Sequence, residues 1–147
     1  MSNNIEIINQ LKTILEEASD LSFVKRVFIG ARSNVVEVPA ISIIPESETE
    51  EVNTLPVIRK ALNIKLYGIN RIMEEDKVFI SNTSDSNIGI FNFANIVKKV
   101  LDNNNTLANK VINIEKGNCR YGYTGGNLIF FELDITIEYR TMYKERS

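Results

Sequence analysis

In the stretch that begins at Leu128 and runs to Tyr139, apolar and polar positions alternate from Phe131 onward. Phe131, Leu133, Ile135, Ile137 and Tyr139 are interleaved with Glu132, Asp134, Thr136, Glu138 and Arg140. A period of two predicts a strand with one face in a core and the other toward water or a polar partner. Its length and regularity predict an interior strand on which earlier elements pack. Arg59 to Ile69 repeats the pattern, with Leu62, Ile64 and Leu66 on one face and Asn63, Lys65 and Tyr67 on the other.

Two segments switch to helical spacing. From about Ile5 to Ser19, the residues Ile7, Leu11, Ile14, Leu15 and Ala18 form one stripe, with Asn3 placed as N-cap and Glu6 favourable to the dipole. From Asp85 to Asn103, Ile90, Ala94, Val97 and Leu101 form a second stripe flanked by Phe93 and Val100. Asp85 or Ser86 stands where a cap is wanted, Lys98 and Lys99 suit the C-terminal end, and Asn103 to Asn105 can stop the helix.

The remaining segments are shorter. Phe23 to Ile29 and Glu37 to Ile44 read as strands, the second with Pro39 near its start and Pro45 at its close. Gly30 to Asn34 reads as a hairpin connection between them. Glu46 to Thr54 is acidic, has Val52 as its one large apolar residue, and reads as a long exposed loop; Pro56 would hold any strand there at an edge. Asn70 to Lys77 reads as a charged turn or a single helical turn. Val111 to Glu115 and Asn118 to Tyr123 are short strand candidates, Gly125-Gly126-Asn127 is a hairpin turn, and Met142 to Ser147 a charged tail. The order predicts one domain over 1–147 of α+β class, a mainly antiparallel sheet with two amphipathic helices packed on one face.

Composition narrows the chemistry. At 147 residues, with 44% hydrophobic and 24% charged residues, the chain can build one real core. A net charge of -2 gives no basic footprint for duplex nucleic acid or an anionic membrane. No apolar run approaches a membrane span, and the N-terminus carries no signal-peptide pattern. The lone Cys119 excludes an internal disulfide and fits a reducing cytosol, where the sequons at Asn82 and Asn104 have no glycosylation context.

The chain has no histidine. That removes Ser-His-Asp and Cys-His pairs, histidine bases and His-ligated zinc or iron. Cys119 reads as half-buried core. Carboxylates are left: Glu46, Glu48, Glu50 and Glu51 form one run and Glu74, Glu75 and Asp76 another. Both read as solvated segments in which nothing raises a pKa, and neither has the spacing of a calcium loop. Tyr121 to Gly126 is glycine-rich but lacks the ending of a phosphate loop and precedes a strand instead of a helix. With Arg120 it has the makings of a stacking surface for single strands, although two packed tyrosines at a hairpin are the simpler reading. The charged face Glu132, Asp134 and Glu138 reads first as solvent-exposed and second as a partner surface. No enzyme, cofactor or metal is expected.

The order of elements, with Pro-Ala-Ile-Ser-Ile-Ile-Pro (39–45), Ala-Leu-Asn-Ile-Lys-Leu-Tyr-Gly (61–68) and Phe-Phe-Glu-Leu-Asp-Ile-Thr-Ile-Glu-Tyr-Arg (130–140), resembles the tail terminator proteins of tailed phages and of related phage-tail-like particles. The resemblance covers nearly the whole length and is one of element order and size. It implies a homo-hexameric ring that caps the tail tube, and the sheath if the tail is contractile, and joins it to a head or neck connector. Its place would be the tail end of a particle assembled in a bacterial cytoplasm, with DNA passing through unbound and no membrane contact. Glu46, Glu48, Glu50, Glu51, Arg71, Glu74 and Glu75 are then candidates for the ring lumen or for intersubunit contacts. The alternatives are another head-tail joining protein and a small non-enzymatic binding module.

Overall fold

The computed structural model describes residues 3–30, 37–54, 57–71, 79–80, 88–124 and 127–142, with the backbone alone for 52–54 and 142. Its elements are α1 (Asn4–Glu17), β1 (Arg26–Ile29), β2 (Ala40–Thr54), β3 (Val57–Arg71), α2 (Ile90–Asn103), β4 (Asn113–Thr124) and β5 (Leu128–Met142). The strands form one sheet in the order β1-β2-β3-β5-β4, antiparallel except for the β1·β2 pair. The fold is α+β, as the hydrophobic pattern predicts.

Alternation in β3 and β5 is cashed in directly. Leu62, Ile64 and Leu66 stand opposite Ile137, Ile135 and Leu133, and all six are buried in one core with Ile41, Ile43 and Phe131. Ile7, Leu11 and Leu15 of α1 join that core, as do Ile90, Phe93, Ala94, Val97, Val100 and Leu101 of α2. Both helices therefore cover the same face of the sheet, α1 toward β1 and α2 across β3, β5 and β4. The Asn3 side chain accepts from the Glu6 N–H at 2.9 Å, which caps α1 as expected. For α2 the cap is Gly89, without a side-chain bond, whereas Asp85 and Ser86 lie outside the described residues. Asn104 ends α2 and donates from Nδ2 to the Val100 carbonyl at 2.9 Å.

Four expectations need correcting. Glu46 to Thr54 is not a loop but the second half of β2, and Pro45 lies within the strand. The chain accommodates the proline at a bulge, since the β2·β3 register shifts between Pro45 and Ser47. Gly30 to Asn34 is not a hairpin connection, because β1 and β2 run parallel, with Arg26 opposite Ala40 and Ile29 opposite Ile43. A parallel partner must be reached by returning along the strand. Finally, the two short strands expected before Gly125 are one, β4, whose register shifts between Lys116 and Cys119 at Gly117.

Gly68 sits mid-strand opposite Phe131, and a Cβ there would lie 1.9 Å from that ring. The missing side chain lets Phe131 lie flat over β3 and reach Phe93, 5.2 Å away edge to face. After α2, Leu107, Ala108 and Asn109 are all left-handed, with φ of 45°, 56° and 67°. Leu107 is fully buried, and its anchoring offsets the strain of that turn.

Candidate interaction surface

Strand length decides what the helices can cover. A strand of 15 residues, such as β3, extends roughly 50 Å, whereas a helix of 14 residues spans only about 21 Å. The β2–β3 hairpin and the end of β5 therefore run on past the helical layer. Asn4, at the start of α1, marks the boundary by donating to Glu48 Oε2 at 3.1 Å.

The bulge after Pro45 resets which side chains face the helices. Glu48 stands opposite Leu62 and so projects to the core side, Glu50 does the same opposite Lys60, and Glu51 stands opposite Arg59 on the outer face. Glu48 is a fixed group rather than a solvated one. Its carboxylate accepts from the buried Tyr139 hydroxyl at 2.5 Å and pairs with Lys60 Nζ at 3.2 Å. Partial burial alone would raise its pKa, but the hydrogen bonds from Tyr139, Asn4 and Lys60 outweigh that and hold it below the usual 4.5. Tyr139 in turn is pushed well up, by burial and then by its bond to Glu48. Glu46 lies on the outer side, 3.9 Å from Lys65 Nζ. Glu50 and Glu51 are exposed.

Of the other candidates, Arg71 is exposed at the opposite end of β3, opposite Leu128, and belongs to no common site with the hairpin glutamates. Strand geometry separates the two, since Glu51 pairs near one end of β3 and Arg71 closes the other. Glu74 and Glu75 lie outside the described residues.

The outer face of the sheet holds a network that the alternation in β5 foreshadows. Glu132 accepts from the Tyr67 hydroxyl at 2.5 Å and from Arg120 Nε at 2.6 Å, and lies 3.4 Å from Lys65 Nζ. Asp134 is 3.6 Å from Lys65 and 3.4 Å from Arg120. Burial, opposed and outweighed by the bonds from Tyr67, Arg120 and Lys65, leaves Glu132 below its ordinary pKa. Burial and the Glu132 bond push Tyr67 up to about 12. Lower on the same face, Arg59 pairs with Glu138 at 3.1 Å, and Thr136 donates to Asn63 Oδ1 at 2.9 Å. Among the described residues Glu46, Glu132, Asp134 and Glu138 of this face each meet a cation, so the network around Lys65 and Arg120 is charge-balanced and not an acidic patch.

Near the end of β4, Tyr121 meets Phe91 edge to face at 4.6 Å, Phe79 lies tilted on Phe91 at 5.0 Å, and Phe79 meets Tyr123 edge to face at 6.4 Å. Phe91, Tyr121 and Tyr123 remain exposed. The two tyrosines thus pack as sequence reasoning expected, but beside a helix-start phenylalanine that it did not link to them. Arg120 points to the other face, so the proposed stacking surface with these tyrosines is not assembled. Cys119 is half-buried against the core.

Among the described residues no group of His, Cys, Asp and Glu is arranged to hold a metal ion. An open groove of about 430 Å³ between α1 and β1 is lined by Lys12, Glu16, Lys25, Arg26 and Glu37 around Leu15 and Leu21. Its charged groups are of both signs. No described helix is long and apolar enough to cross a membrane. Comparison with protein-family models finds no match, and comparison with curated proteins finds none either.

Proposed function

We propose that this chain is a structural subunit of a phage or phage-like tail, assembling as a hexameric ring that caps the tail tube and joins it to a head or neck component. The observation that carries the reading is the β2–β3 hairpin. It extends past the helical layer, bears Glu46, Glu48, Glu50 and Glu51 on one strand, and is braced at its base by the Glu48–Tyr139–Lys60 cluster. A stiff arm with no catalytic constellation around it among the described residues suits a contact between subunits or with a tube. Acidic side chains along it suit a channel through which DNA slides, because like charge prevents adhesion. The tube protein, the sheath protein of a contractile tail and the connector above are its partners, and no cofactor takes part.

The test is length control. Purified chain added to polymerising tail-tube protein should stop growth and narrow the length distribution; tubes of unchanged length would remove the reading. Glu50→Lys with Glu51→Lys should keep the fold and weaken capping. Glu48 is left intact in that variant, because reversing it would break its bonds to Tyr139 and Lys60. The exposed Phe91, Tyr121 and Tyr123 favour a second reading, a small binding module. If that module takes single-stranded nucleic acid, oligonucleotide affinity should fall steeply with salt.

A further inference from the structure

We draw no further inference here: the strongest candidate, the aromatic surface patch of Phe79, Phe91, Tyr121 and Tyr123 where the start of α2 meets the end of β4, carries nothing because nothing in the structure shows what covers it.

Discussion

Replacing Gly68 by alanine tests how the core is built. The added methyl would lie 1.9, 2.5 and 2.6 Å from three ring carbons of Phe131, distances that only displacement can relieve. Phe131 has nowhere to go: it is fully buried and packed edge to face on Phe93, which packs likewise on Phe23 at 5.3 Å. Overpacking of this kind costs about 1–3 kcal/mol. Alanine recovers about 0.5–1 kcal/mol because glycine is a poor strand residue. With three sub-contact distances the upper end applies, for a net loss of about 2 kcal/mol. At this chain length that lowers Tm by about 4–8 °C. A double-mutant cycle sharpens the test. Phe131→Ala alone should cost about 3–5 kcal/mol, and in that background Gly68→Ala should cost nothing or stabilise, giving a coupling of about 2 kcal/mol. Urea unfolding of the four proteins measures it. Equal losses in both backgrounds, or no loss in the wild type, would refute the packing argument.

Other expectations follow from the same physics. Ala108→Gly removes the Cβ from an exposed residue at φ 56° and should raise stability by about 0.5–1 kcal/mol, read as a small rise in Tm; a fall would place the turn in another conformation. Glu48 is held below 4.5, so its contribution is present above that pH and is lost as pH falls through the lower folded value. The stability gap between wild type and Glu48→Gln should therefore shrink on acidification, and a gap constant with pH would contradict the Tyr139–Glu48–Lys60 cluster. Tyr67 titrates at about 12 against 10 when unfolded, so its contribution is full below pH 10 and lost as pH rises toward 12. Tyr67→Phe should lose the corresponding late step in the ultraviolet tyrosinate titration; an unchanged titration curve would assign that step elsewhere.

The parts of the fold legible in the sequence were those where one face is buried and the other wet. β3, β5 and the stripes of both helices fall in that class, and their buried residues are those the alternation and helical spacing picked out. The second half of β2 was hidden for the opposite reason. The side chains of residues 46–51 that project to the core side are Glu48 and Glu50, and Glu48 is held there by Tyr139 and Lys60, not by apolar packing, so no apolar alternation is written there and an acidic strand looks like a loop. Proline 45 strengthened that misreading, because nothing local reveals the bulge that accommodates it. β1 was legible as a strand but not as a parallel one, since direction is decided by pairing and not by composition. Of the site residues, Glu46 to Glu51 were found by charge alone. Their division into a tethered Glu48 and exposed Glu50 and Glu51 depends on the register shift, and Tyr139, Lys60 and the Arg120–Glu132–Lys65 network are long-range partners that no spacing predicts.

Electron microscopy of the purified chain at high concentration, alone and with tail tubes, decides whether the proposed ring forms. Six-fold rings with an open centre, either free or seated on tube ends, are expected. Monomers in solution together with bare tube ends would contradict the ring.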